Sequence, residues 1–241
     1  MKTYLYLVLV VLFISCNNPT TNKAADGAAK GSQPATDKAM TADEQKVLSP
    51  DTVISLLKAG NKVFYTYKEL QKNDSLRIRQ TENGQYPMAA VLSCIDSRVP
   101  VEEVFNRGIG DLFVARVAGN VADEDVLGSL EYACNVAGAK VILVLGHDHC
   151  GGIKAAVDNI QSGNIAALVK KIKPAVDAVK TSGPRSSKND EVVHDVAVKN
   201  VEFTINYIRA QSAVLNKLEQ DKKIKIIGGL YDLESGKITF Y

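Results

Sequence analysis

The sequence predicts an α/β fold: a mainly parallel central β-sheet flanked by helices, with a C-terminal β-hairpin. Short apolar runs alternate with segments of helical spacing, as in βαβ units. The run over 139–146 is apolar except for Lys140 near its start, which is typical of a strand covered on both faces of a parallel sheet. The last run, 223–233, is followed by Glu-Ser-Gly and a short β-rich end, so we expect a closing hairpin.

The other predicted elements follow in order. A helix is expected over 51–70, because apolar residues recur there at helical spacing after the helix-start sequence Ser-Pro-Asp. The runs 88–95 and 111–118 are short, apolar and bounded by Pro or Gly, which favours buried strands. Helical spacing from about 191 to 220 predicts one long helix before the last strand.

The first 48 residues predict an export signal and a tether. The apolar run 4–14 is too short to span a bilayer as a helix, and Cys16 follows it closely. This pattern resembles a bacterial lipoprotein signal, in which the cysteine carries the lipid; the alternative is an ordinary signal peptide with an incidental cysteine. We therefore expect a signal over 1–15, a polar tether over 16–48 and one folded domain over 49–241. The expected location is the bacterial cell envelope, in the periplasm, with the protein anchored to a membrane.

Composition excludes several classes of protein. The 241 residues include 29 basic and 27 acidic ones, a net charge of +2, which argues against binding to nucleic acid or to a membrane surface through charge. Four cysteines are too few for a disulfide framework. The length suits one domain with appendages.

Two short segments at predicted strand ends carry metal-binding side chains. Cys94 lies in Ser-Cys-Ile-Asp-Ser-Arg, and His147 and Cys150 lie in Gly-His-Asp-His-Cys-Gly-Gly. Ligands gather at the carboxyl ends of strands in open parallel sheets, so the two segments are expected to meet. Thiolate and imidazole are zinc ligands, and three protein ligands leave a fourth position for water in a catalytic site. The alternative is a pair of buried or disulfide-linked cysteines.

Asp96 and Arg98 lie beside the first of these cysteines. Asp96 is placed to accept a hydrogen bond from a hydroxide on the metal, and Arg98 is placed to keep this carboxylate ionised and oriented through two parallel bonds. The alternative is an ordinary surface ion pair. We predict that they are catalytic residues.

These segments resemble the β-class carbonic anhydrases, whose hallmark is CxDxR followed at a distance by HxxC and glycines. The hallmark residues of this chain are Cys94, Asp96, Arg98, His147, Cys150, Gly151 and Gly152. The similarity covers about 49–241. It implies reversible hydration of carbon dioxide to bicarbonate and a proton by zinc-bound hydroxide, one zinc ion per chain, and a homodimer or larger homo-oligomer. Together with the predicted signal, the resemblance implies a bacterial member of the family that is exported as a lipoprotein.

The resemblance also suggests residues that contact substrate. Gln85 matches a family glutamine that hydrogen-bonds substrate, often across a dimer interface, although a loop glutamine is an equal alternative. Gly151 is the second residue expected at the substrate. Gly119 and Asn120 either shape the wall of the pocket or form a tight turn.

Some members of the family bind zinc through the aspartate in a resting form. Those members carry tryptophan and glycine just before the first cysteine, where this chain has Val91 and Ser93. The regulatory pocket of those members is therefore expected to be absent, although the sequence leaves open whether Asp96 binds zinc at rest.

Three other residues are expected to have no part in the chemistry. His149 is predicted to face outward; the alternative is that it relays protons to solvent from its place between two ligands. His194 is predicted to lie on the surface, and Cys134, among small apolar residues, is predicted to be buried in packing. Two further functions remain open at this stage: a zinc hydrolase of carbonyl sulfide or carbon disulfide, and a non-enzymatic lipoprotein that binds zinc or senses redox state.

Overall fold

The structure is a computed structural model and describes residues 38–66 and 74–241. The predicted signal peptide, Cys16 and most of the predicted tether lie outside the described residues, as do residues 67–70 of the first predicted helix. Within the described part of the chain, no helix is long and apolar enough to cross a membrane.

Helices and strands alternate along the chain. The helices are α1 Ala42–Lys46, α2 Pro50–Thr66, α3 Asp74–Thr81, α4 Val101–Val104, α5 Glu124–Glu131, α6 Gly151–Val157, α7 Ile165–Ala178, α8 Asp190–Gln211 and α9 Ala213–Gln220. The strands are β1 Ala89–Ser93, β2 Leu112–Arg116, β3 Val141–His147, β4 Lys225–Tyr231 and β5 Ile238–Phe240. A 3₁₀ turn covers Ala118–Asn120, and α5 continues into a π-helical turn over Tyr132–Val136.

The five strands form one sheet in the order β2-β1-β3-β4-β5. The first four are parallel and β5 is antiparallel to β4, which confirms the predicted parallel sheet and C-terminal hairpin. On one face, Val91 packs in a cluster with Leu57 of α2. On the other face, Leu92 and Val144 pack in a cluster with Val201 of α8. Because both faces are covered, the inner strands are apolar along most of their length, up to Ser93 at the end of β1 and His147 at the end of β3.

A buried side chain joins α2 to the hairpin. Asn61 is 2% exposed and donates through Nδ2 to the carbonyl oxygens of Val104, at 3.2 Å, and Gly236, at 2.9 Å. Its Oδ1 accepts from the backbone nitrogen of Ile238 at 2.9 Å. Three bonds to backbone groups satisfy this buried amide and hold the hairpin against α2.

The folded domain begins before the predicted boundary at residue 49. Helix α1 lies within the range 16–48 assigned to the tether, and its Gln45 is buried. The Nε2 of Gln45 donates to the carbonyl oxygens of Pro87, at 2.7 Å, and Ala137, at 2.9 Å. Polar composition does not reveal this helix, because it is held by buried hydrogen bonds from Gln45 to backbone carbonyls.

The predicted long helix is also interrupted. Ser212 leaves helical geometry at φ −112° and ψ 100°, and its Oγ accepts from the backbone nitrogen of Leu215, so it caps the start of α9. The apolar spacing continues on both sides of Ser212, which is why periodicity alone missed the break. The strands are shorter than predicted, and His147 is the last residue of β3.

Candidate metal centre

Two neighbouring parallel strands bring the predicted ligands together. Cys94 directly follows β1, and His147 ends β3, which pairs with β1. Cys150 comes three residues later and is the N-cap of α6, with φ −64° and ψ 125°. The turn between them contains His149 at φ +52°. All three predicted ligands are buried, each at most 3% exposed.

The three ligand atoms surround one small space. They lie within 4.8 Å of one another, and the two sulfurs are 3.8 Å apart. Two sulfurs at zinc–sulfur bond length, ~2.3 Å, in a tetrahedral site would be about 3.8 Å apart. A disulfide needs a sulfur–sulfur distance of about 2.05 Å, so Cys94 and Cys150 are not linked by a disulfide in the structure.

The ring of His147 is prepared to bind through one nitrogen. Its Nδ1 lies 2.8 Å from the carbonyl oxygen of Asp148, which can only accept, so Nδ1 carries the proton. Its Nε2 is buried and has no hydrogen-bond partner. A buried nitrogen lone pair without a partner is costly, and a metal ion at this position would satisfy it. The donor set and spacing therefore fit zinc.

The two thiols influence each other's ionisation. The hydrogen bond between them lowers the pKa of Cys94 and raises the pKa of Cys150, because a second negative charge beside the first is unfavourable in a buried site. A divalent cation removes that repulsion, which is a further reason why the cluster suits a metal ion.

Asp96 and Arg98 form the predicted bidentate pair beside the ligands. Nε of Arg98 donates to Oδ1 of Asp96 at 2.9 Å, and Nη2 donates to Oδ2 at 2.8 Å. The backbone nitrogen of Arg98 also donates to Oδ1 at 2.9 Å. These bonds to Arg98 hold the pKa of Asp96 well below its usual range. Oδ2 lies 3.8 Å from Nε2 of His147, so the carboxylate faces the ligand space.

Arg116 is a positioning residue that sequence reasoning missed. It ends β2 and donates to three carbonyl oxygens of the loop after β1: Cys94 at 3.0 Å, Asp96 at 2.6 Å and Val99 at 3.0 Å. These bonds fix the backbone that carries the first ligand and the carboxylate. The available signal was a basic residue at the end of an otherwise apolar strand, which does not by itself indicate where the side chain bonds.

The expected substrate residues lie at different ends of the sheet. Gly151 is the first residue of α6, next to Cys150, and a side chain there would meet open space. Gln85 is exposed and precedes β1, whereas Cys94 follows β1, so the two are separated by the length of the strand. Within one chain, Gln85 does not reach the metal centre.

The turn after β2 lies against the metal centre. Gly119 has φ +69° and Asn120 has φ +45°, and both are buried. The backbone nitrogen of Gly119 is 3.4 Å from Sγ of Cys94. A Cβ on Gly152 would lie 2.9 Å from the nitrogen of Gly119, so the two glycines allow a close approach of backbones. The turn therefore both adopts left-handed geometry and borders the ligands.

The remaining predicted residues lie where the sequence placed them. His149 is half exposed and its Nδ1 is 3.3 Å from Oδ1 of Asp190. His194 is on the surface of α8, and its Nδ1 lies 2.7 Å from Oδ1 of Asp148. Cys134 is buried in the apolar core, where burial raises its pKa to about 12.

Comparison with known proteins agrees with the site. The model of the carbonic anhydrase family matches residues 89–238. Carbonic anhydrase 2 of Mycobacterium tuberculosis is 33% identical over 195 residues, covering 78% of this chain and 91% of the relative. The carbonic anhydrase of Mycolicibacterium smegmatis is 32% identical over 196 residues, covering 79% and 92%.

Solved structures show the same fold. The β-carbonic anhydrase of Coccomyxa, in complex with acetazolamide, superposes with a TM-score of 0.62 and is 26% identical, covering 69% of this chain and 77% of that one. A tetrameric β-carbonic anhydrase of Sordaria macrospora has a TM-score of 0.61 at 23% identity, covering 79% and 96%.

A Cys-His-Cys centre at the carboxyl edge of a parallel sheet, in a chain with these relatives, defines a zinc-dependent lyase. The chain belongs to the carbonic anhydrase family, and within it to the β class.

Proposed function

We propose that this protein hydrates carbon dioxide reversibly to bicarbonate and a proton, with Asp96 orienting the attacking oxygen. The convergence of Cys94, His147 and Cys150 beside the Asp96 carboxylate is the observation that supports this proposal. When zinc is bound, it acidifies a coordinated water enough for attack on an electrophilic carbon near neutral pH, as it does in carbonic anhydrases with three histidine ligands.

The role of Asp96 follows from its protonation state and its bonds. Arg98 keeps the carboxylate ionised, so Oδ2 is an acceptor and never a donor at ordinary pH. An acceptor beside the ligand space takes a hydrogen bond from the nucleophile and directs its lone pair away from the carboxylate, toward the carbon. Arg98 acts through Asp96, because two parallel bonds prevent the carboxylate from rotating.

Stopped-flow hydration by the purified domain tests the proposed reaction. Two thiolate ligands neutralise the formal charge of the metal. A water bound to it should therefore be less acidic than one bound to a metal with three imidazole ligands. We therefore expect the hydration rate to rise toward alkaline pH. A zinc-loaded protein without hydration activity, or with a flat profile between mildly acidic and alkaline pH, would contradict the proposal. Faster hydrolysis of carbonyl sulfide than hydration of carbon dioxide would assign the site to the sulfur analogue.

We further propose that the enzyme is an exported lipoprotein anchored through Cys16. The support is the apolar run 4–14 with a cysteine shortly after it. Metabolic labelling with a fatty acid should label the wild-type protein and not Cys16→Ala. An unlabelled wild type would exclude the lipid anchor.

A homodimer or larger assembly is part of the same proposal. Gln85 precedes β1 and is separated by that strand from Cys94 of its own chain. If Gln85 contacts substrate, it does so in the site of a neighbouring subunit. A contact between Gln85 and substrate therefore requires the proposed homo-oligomer.

A further inference from the structure

The sulfur of Cys94 receives a hydrogen bond from the backbone. The amide of Gly119 lies 3.4 Å from Sγ, within the range for a bond to sulfur, and both residues are buried. An N–H group aimed at a thiolate withdraws negative charge from the sulfur, so less charge is donated to a bound metal. In a site with two thiolates, this effect partly restores the acidity that the metal loses to its ligands.

The position of this amide depends on a crowded turn. Gly119 has φ +69° and ψ 18°, and a Cβ there would meet Cδ1 of Ile172 at 2.7 Å. The amide nitrogen also lies so close to Gly152 that no side chain fits between them. Packing limits where the turn can go, and the backbone nitrogen of Asn120 closes the turn on the carbonyl oxygen of Val117 at 2.8 Å. A directional bond from outside the turn then holds the turn as a unit against the metal centre.

That directional bond comes from α8. Nδ2 of Asn200 donates to the carbonyl oxygen of Gly119 at 2.7 Å, and Asn200 is 1% exposed. The helix is fixed on both sides of this residue, since Val196 and Val201 are fully buried in the core. A rigid helix therefore holds the carbonyl of the same residue whose amide bonds to the zinc ligand.

We infer that Asn200 is a positioning residue of the metal centre. It anchors the peptide group that follows Gly119, and because the crowding by Ile172 and Gly152 restricts the rotation of Gly119, this also keeps the amide on the other side of the residue on Sγ of Cys94. The charge that this sulfur donates to the metal is thereby reduced. The inference rests on zinc binding at this site and not on the substrate, because its main tests are spectra recorded without turnover. Failure of the proposed reaction and failure of this inference are therefore distinguishable.

The bond to sulfur is measured first in the wild-type protein. The protein is loaded with ¹¹³Cd in place of zinc and labelled with ¹⁵N. The amide proton of Gly119 should show a scalar coupling to the cadmium, transmitted through the hydrogen bond and Sγ of Cys94. An assigned Gly119 amide without this coupling would overturn the inference, and no substitution is needed to obtain that result.

The part of Asn200 is measured with Asn200→Leu, which keeps a similar shape and removes the donor. Thr204→Val is the matched control, because Thr204 is a buried polar residue one turn further along α8 and lines a different cavity with Phe203. In the cobalt-loaded N200L protein, the sulfur-to-cobalt charge-transfer band should move to lower energy, because the sulfur is richer in electrons. The cadmium coupling to Gly119 should be lost.

Activity gives a second comparison. We expect kcat/KM of zinc-loaded N200L to fall about tenfold at neutral pH and the midpoint of its pH profile to move to alkaline values, whereas T204V keeps the wild-type midpoint and band. If N200L does not fold, Asn200→Ala also removes the donor and should shift the band in the same direction. A wild-type band and coupling in the folded variant, or an equal shift in T204V, would show that Asn200 has only a structural role.

Discussion

Replacing Cys150 by serine should weaken zinc binding strongly and reduce hydration in parallel. A serine hydroxyl stays protonated and neutral, so only Cys94 and His147 remain as strong donors in the cluster. Structural zinc sites with four ligands bind with about 10–16 kcal/mol, so losing one ligand should cost about 3 kcal/mol or more, or at least about a hundredfold in affinity. Metal analysis and stopped-flow hydration are measured on the same preparation.

Cys134→Ser is the matched control for this substitution. Cys134 is also a buried free cysteine, but it packs in the apolar core formed by α5 and its neighbours, away from the ligands. We expect this variant to keep one zinc ion per chain and wild-type activity per folded molecule. A C150S protein with a full complement of zinc and normal hydration would refute the assignment of this ligand.

The closeness of the two thiol ligands leads us to a prediction about their oxidation to a disulfide. Their sulfurs are 3.8 Å apart, close enough that small movements of the apoprotein would allow a disulfide. Active protein should therefore contain zinc and no bond between Cys94 and Cys150. A native disulfide between them in active enzyme, detected by mass spectrometry, would overturn the zinc assignment.

Replacing Asp96 by asparagine should reduce kcat by about a hundredfold to ten-thousandfold without loss of zinc. The asparagine oxygen can still accept from Arg98, but the other terminal group becomes an NH₂ donor where Oδ2 now faces the ligand space. The attacking oxygen then meets a donor in place of an acceptor and is wrongly oriented. Asp158→Asn, on an exposed carboxylate bonded to Ser187, is the control that should leave kcat unchanged.

Arg98→Lys tests the orientation of Asp96 separately from its charge. Lysine cannot supply two parallel bonds, so the carboxylate should stay ionised near neutral pH but should no longer be held in one orientation. We therefore expect kcat to fall about tenfold or more, whereas the midpoint of the pH profile, which the metal-bound water would set, should stay in place. A normal kcat in R98K, or in D96N, would show that this pair is not part of the mechanism.

Sequence reasoning was strong where the chemistry is local. The apolar runs around β1 and β3 predict buried parallel strands, because a strand covered on both faces exposes few positions that favour polar residues. The position of Cys94 and His147 after or at the end of these strands predicts that they meet, since parallel strands present their carboxyl ends at one edge. Asp96 and Arg98 are two residues apart, so their pairing is also a local property.

The sequence by itself therefore determined the α/β class, the three predicted zinc ligands and the carboxylate beside them. Only the tertiary structure decided which distant residues hold that site in place. Arg116 and Asn200 contact it from another strand and from a helix far along the chain, and Gln45 brings part of the predicted tether into the fold. The physical reason is that a side-chain hydrogen bond to a backbone carbonyl places no constraint on the residue type of its acceptor, so it leaves no pattern in the sequence.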